Sequence, residues 1–130
     1  MSDFTIRRID DMETYYLGAM KRARAELGVT SFGIQVMDLP PSLEFYPEHD
    51  HAESGQEEVY VPLSGSGEIE LDGERHPLEP GVMIRVGPGV RRKLWPGSDG
   101  MRLIGLGGVP GGGYEPPEVT ELGQPDPMAG

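Results

Sequence analysis

Apolar positions change their spacing once along this chain, at Gly28. Before it, Met12, Tyr16, Ala19, Ala23 and Leu27 recur at intervals of three and four, which places side chains on one face of an α-helix. Asp10 or Asp11 can cap the start, Glu13 suits the first turn, and Lys21, Arg22 and Arg24 suit the last turns. Gly28 supplies a stop. The pattern predicts an amphipathic N-terminal helix laid against something larger.

Beyond Gly28 the period becomes two. Residues 29–39 alternate through Phe32, Ile34 and Val36 and close on Pro40-Pro41; residues 43–46 read as a second strand and 59–61 as a third. Residues 68–71 alternate into Asp72-Gly73, a two-residue hairpin signal, and 74–78 return from it. Residues 82–86 and 91–95 flank Gly87-Pro88-Gly89, and 101–106 form a last strand. Short strands punctuated by glycine and proline, with almost no helix, predict an all-β barrel or sandwich. From Gly107 onward, twelve of 24 residues are Gly or Pro and none is Lys or Arg, so this part reads as an extended arm that frays over 126–130. The expected organisation is a helical segment over 1–28, a barrel over 29–107 and a tail over 108–130.

Composition narrows the function classes. A chain of 130 residues makes one domain with a real core, and the absence of cysteine excludes thiolate, disulfide and zinc–cysteine chemistry. A net charge of −11 disfavours nucleic acid and anionic membrane as partners. There is no apolar run of membrane-spanning length, and the first eight residues lack the apolar core of a signal peptide, so a cytoplasmic protein is expected. Acidic residues concentrate over 44–58, whereas 85–102 carries Arg85, Arg91, Arg92, Lys93 and Arg102 against Asp99 alone.

The candidate chemistry lies between those segments. His49 and His51, one residue apart, project to the same side of an extended segment, and Glu58 opens the next strand. Two imidazoles and a carboxylate make a metal-ligand set with open positions for water, oxygen or a chelating substrate. Glu53 and Glu57 compete for the carboxylate role, and a histidine pair on a strand can equally do no more than hydrogen-bond. His76, beside the hairpin, reads as a sheet residue. Tyr60 is in phase with Glu58 and is a candidate for the pocket lining, though a strand aromatic also suits the core.

These residues resemble the motifs of the cupin superfamily. His49, His51, Glu58 and Gly65 follow the first motif, including its interval from Glu to Gly; the stretch from Gly81 through Gly87-Pro88-Gly89 to Arg92 follows the second. The resemblance covers roughly residues 30–107 and implies a jelly-roll β-barrel, the fold class expected here, with the helix and the Gly/Pro-rich arm appended. It further implies a divalent metal (Fe, Mn, Ni or Zn) on His49, His51 and Glu58, a small-molecule ligand in the barrel, and a homodimer. Where the family places its last ligand histidine, this chain has Arg92, whose guanidinium has no lone pair to give. Three outcomes are open: Arg92 swings out, pairs with Glu58 in the metal's place, or joins Arg85 in binding an anionic ligand. Two function classes follow, a metal-dependent dioxygenase, isomerase or decarboxylase, and a non-catalytic ligand-binding or sensor module.

Overall fold

The computed structural model describes residues 2–43 and 46–129. Seven strands carry the fold: β1 (Thr14–Tyr15), β2 (Met20–Lys21), β3 (Gly33–Leu39), β4 (Glu57–Leu71), β5 (Glu74–Leu78), β6 (Ile84–Val86) and β7 (Arg92–Gly108), with one short helix, α1 (Ala23–Leu27). They hydrogen-bond in the order β1-β2-β3-β7-β4-β5, every pairing antiparallel, and β6 adds to β4. This is the jelly-roll barrel expected from the alternating pattern.

Two of the expected strands are halves of longer ones. β4 and β7 run side by side in two half-ladders, Glu57–Pro62 against Leu103–Gly108 and Gly67–Leu71 against Arg92–Pro96, separated by register shifts around Pro62–Gly67. Gly65, the motif glycine, sits in this irregularity at φ +74°, where a Cβ would collide with the Gly100 carbonyl oxygen. Only glycine permits both that dihedral and that approach, and the resulting bends let one sheet curl into a barrel. The Asp72-Gly73 hairpin forms as expected, with both residues at positive φ (49° and 87°), as a type I′ turn requires. Inside the barrel, Met37, Leu39, Tyr60, Ile69, Leu78, Val86, Leu94, Met101 and Leu103 pack as one core. The expected strand over 43–46 falls partly on residues 44 and 45, outside the described residues; Leu43 and Tyr46 themselves are not in a strand.

The N-terminal helix is corrected to five residues. Tyr16, Leu17 and Gly18 all take positive φ (52°, 55° and 89°), so the chain turns back on itself and lays β2 along the edge of β3. Helical spacing lost to tertiary pairing: β3 offered an open edge, and Tyr15 gained almost complete burial by leaving the helix. Met12 and Ala23 still meet Val36 on the outer face of the sheet, so the apolar positions pack as anticipated without the helix that was to carry them. Among the described residues no helix is long and apolar enough to cross a membrane.

The C-terminal arm is corrected at its end. Asp126, expected to fray, accepts hydrogen bonds from Tyr16 N–H (2.9 Å) and Leu17 N–H (2.8 Å), so the last turns are tied to the N-terminal hairpin.

Candidate metal centre

Three stretches build the site: the extended segment before β4, the start of β4 and the start of β7. His49 N–H donates to Arg92 O at 2.9 Å and Arg92 N–H to His49 O at 2.7 Å, while His51 N–H donates to Pro88 O at 2.8 Å. These bonds fasten the His-x-His segment to the Gly87-Pro88-Gly89 turn, and the two imidazoles stand edge to face with centroids 5.0 Å apart. Glu58 pairs with Val86 on one side and Gly107 on the other, which aims its side chain at the same point. One donor atom from each of His49, His51 and Glu58 lies within 4.8 Å of the others. Glu53 and Glu57 are not members of this group; Glu57 instead accepts from Arg85 at 2.8 and 3.0 Å.

Glu58 Oε1 is crowded. Arg92 Nη1 donates to it at 2.6 Å and Tyr60 OH at 2.8 Å, and His51 Nε2 stands 3.1 Å away. Burial by itself would raise the carboxyl pKa, but the approach of His51, the Tyr60 hydroxyl and the Arg92 charge outweigh it and hold the group at about 2, so it is an anion at neutral pH. Its other oxygen, Oε2, has only a long contact of 3.5 Å from Gln56 Nε2. The same carboxylate, together with burial as the larger cause, pushes the Tyr60 and Tyr46 hydroxyls well above the ordinary phenol range, so both remain protonated donors.

Arg92 is fully buried. Beyond Glu58, its Nη2 donates to Gly87 O (2.7 Å) and Val90 O (3.0 Å), and its Nε to Val90 O (3.2 Å). Of the three outcomes left open by the sequence, the structure adopts the ion pair with Glu58. The Arg92 fork is directed to one carboxylate and two carbonyls, and Arg92 is not among the residues that line the cavity. Arg85, expected beside it, projects from the outer face and pairs with Glu57. Tyr60 is where the strand phase placed it, facing the cavity.

That cavity, about 480 Å³, has His49, His51 and Glu58 on its wall and all five tyrosines of the chain around it: Tyr15, Tyr16, Tyr46, Tyr60 and Tyr114. Sequence reasoning found only Tyr60, because the others lie on segments far apart in the chain. Gly105 and Gly107 of β7 are the cross-strand neighbours of Tyr60 and Glu58 on the same wall, and they make room there for the end of Met37 and for the Gln56 side chain. A larger, mainly apolar cavity of about 850 Å³ lies across Tyr16, Met20 and Tyr46; of its charged members Asp38, Asp99 and Arg102, Asp38 and Arg102 are paired with each other at 2.7 Å. The chemistry resides in the smaller one.

The donor set fits a divalent metal ion. Among the described residues the buried His51 Nε2 has Glu58 Oε1 beside it at 3.1 Å but no well-directed hydrogen bond. A buried nitrogen left unpaired is costly unless a ligand takes it. His49 Nδ1 lies 3.2 Å from Pro47 O, and with the proton there the other nitrogen keeps its lone pair. Burial, its largest cause, lowers the His49 pKa and favours that neutral, ligating form. Arg92 opposes the metal, since two unit charges 4 Å apart repel by about 4 kcal/mol at an effective dielectric near 20, and a dication doubles that. The site is therefore a three-donor group weakened by one cation at its base.

Residues 35–105 match the family model described as a cupin domain. A cupin protein from Bacteroides fragilis superposes with a TM-score of 0.68 at 24% identity, over 92% of this chain and 95% of that one. KdgF from Halomonas sp. superposes with a TM-score of 0.61 at 14% identity, over 82% and 93%. The DMSP lyase DddQ from Ruegeria pomeroyi reaches 0.52 at 26% identity over 58% of this chain, corresponding to 37% of the longer lyase. No curated protein matches.

Proposed function

The chain belongs to the cupin domain family, and from that premise we propose that it binds a small organic molecule in the tyrosine-lined cavity, beside a divalent metal held by His49, His51 and Glu58. The observation that carries this reading is the convergence of three donor atoms, one of them a buried unpartnered nitrogen, on the wall of a cavity of ligand size. A metal there would supply Lewis-acid polarisation of a ligand oxygen, of use to an isomerase, decarboxylase or dioxygenase. The chain's own residues have separable roles. Arg92 keeps Glu58 ionised, Tyr60 fixes the carboxylate's orientation, and Tyr16 and Tyr114 offer hydroxyls to the ligand, the Tyr15 hydroxyl being donated to Gln35. Among the described residues no Lys or Arg lines the cavity, so an anionic group on the ligand would be received by the metal and not by Arg92 or Arg85. The relatedness to a lyase supports an enzyme, and the short Arg92–Glu58 contact supports the second reading, a non-catalytic binding module in which the guanidinium replaces the metal's charge.

Metal analysis after reloading separates the two. Occupancy below about a tenth of an equivalent per chain, as for incidental binding, sinks the metal reading. Arg92→His removes the opposing cation and adds a donor; it is expected to raise affinity for Zn²⁺ or Co²⁺ at least tenfold, on the scale of the charge repulsion relieved. An unchanged affinity would mean that position 92 does not face the metal. Pairing of two copies belongs to the same proposal, and a single species near 14.2 kDa in solution would remove it.

A further inference from the structure

The wall of the cavity opposite the barrel is not part of the sheet. It is made by the C-terminal segment, which leaves β7 at Gly108, passes Gly111-Gly112-Gly113 and crosses the cavity with Tyr114, Glu115, Pro117, Val119 and Thr120. Nothing in this segment joins the β-ladder. It is held by groups of the N-terminal hairpin and α1: Arg22 Nε donates to Val119 O at 2.9 Å, Gly123 N–H donates to Glu13 Oε2 at 2.9 Å, and Asp126 accepts from Tyr16 and Leu17 N–H.

Two features make this attachment reversible. Along residues 109–129, Thr120 alone is buried, so little apolar surface opposes release. Arg24 Nη2 lies 3.0 Å from Glu121 Oε1, yet that buried nitrogen forms no well-directed hydrogen bond, so this contact is a loose one. One feature makes the attachment consequential. The amides that Asp126 holds belong to Tyr16 and Leu17, the left-handed pair of the hairpin, and the Tyr16 ring lines the cavity. Releasing Asp126 therefore removes one anchor of the strap and loosens a wall residue together, leaving the Arg22 and Glu13 bonds to hold the rest. At the other end Tyr114 rests on Gly33, where a Cβ would stand 2.7 Å from its hydroxyl.

We infer that residues 109–129 form a latched strap that controls entry to the cavity, with Asp126 as the latch and Tyr114 as the residue that caps the ligand and limits its size. This rests on the cavity being the ligand site, and the test is independent of any metal or ligand. Diethyl pyrocarbonate modifies histidine nitrogens, and His76, which does not line the cavity, serves as internal reference beside His51. In the full chain, Asp126→Ala is expected to speed amide exchange over 114–122 about tenfold and to raise His51 modification relative to His76 by about fivefold, as release of a weakly held segment predicts. Gly33→Ala should do the same from the opposite end by displacing Tyr114. Looser amides with an unchanged His51 rate would overturn the inference, as would no change in either. If the wild-type chain takes up no metal while His51 still responds to the latch, the metal reading fails and the strap stands.

Discussion

The two half-ladders of β4 and β7 use the same strands for opposite ends. In one, Ile69 faces Leu94 across the pair, and both are completely buried. In the other, Tyr60 faces Gly105 and Glu58 faces Gly107. Aliphatic against aliphatic fills the interior; beside Tyr60 and Glu58 the glycines instead make room for the end of Met37 and for the Gln56 side chain. The carboxylate of the site thus stands where its cross-strand partner is glycine, and Arg92, at the start of the other half-ladder, reaches across to it.

The comparison can be broken most severely at the filled half. Ile69→Ala should cost about 4 kcal/mol in chemical denaturation, the range for a well-packed aliphatic core position, with metal stoichiometry unchanged in the folded fraction. At the open half, Glu58→Gln leaves Arg92 buried against a neutral partner, with an expected cost of roughly 3 kcal/mol, and it also removes a metal ligand. The acid limb sharpens this. Glu58 titrates near 2 in the fold against an ordinary value of 4.5. Its contribution is therefore fully present above the ordinary value and is lost as pH falls through the window toward 2, amounting to about 3 kcal/mol. Denaturation midpoints measured across that window should slope in the wild type and flatten in Glu58→Gln; equal slopes would show that other carboxylates govern acid unfolding. The smallest effect is at Gly105→Ala, whose Cβ would lie 3.1 Å from the flexible end of Met37. Stability should change by no more than about 1 kcal/mol, while the cavity narrows and ligand or probe uptake falls. A loss of several kcal/mol would mean that the glycine serves the fold and not the space.

Much of the sheet was legible in the sequence because alternation, the Asp72-Gly73 turn and the Pro/Gly breaks are local signals. His49, His51 and Glu58 were legible for the same reason, being held together by chain spacing and strand phase. What escaped was non-local. Met12 to Leu27 has helical spacing, yet residues 16–18 turn left-handed because the β3 edge and the Asp126 carboxylate reward it, and both lie far along the chain. Tyr15, Tyr16, Tyr46 and Tyr114 gave no signal of a shared cavity, since only the folded topology joins them. The tail's composition suggested an extended arm; it carries a 3-10 turn at Glu118–Thr120, and composition does not register the anchors supplied by Glu13 and Arg22. Arg92 was recognised as the odd residue of its motif; that its fork would be consumed by Gly87 and Val90 carbonyls depends on a turn geometry no pattern encodes.

The main-chain pairing of His49 with Arg92 has an evolutionary consequence. Both hydrogen bonds between His49 and Arg92 run through backbone atoms, so an exchange of the side chain at 92 leaves that pairing in place. Some arginine codons differ from histidine codons by a single base. Where such a codon is used, one base change exchanges the residue, leaving the His49 segment paired while releasing Glu58 and the Gly87 and Val90 carbonyls from the guanidinium.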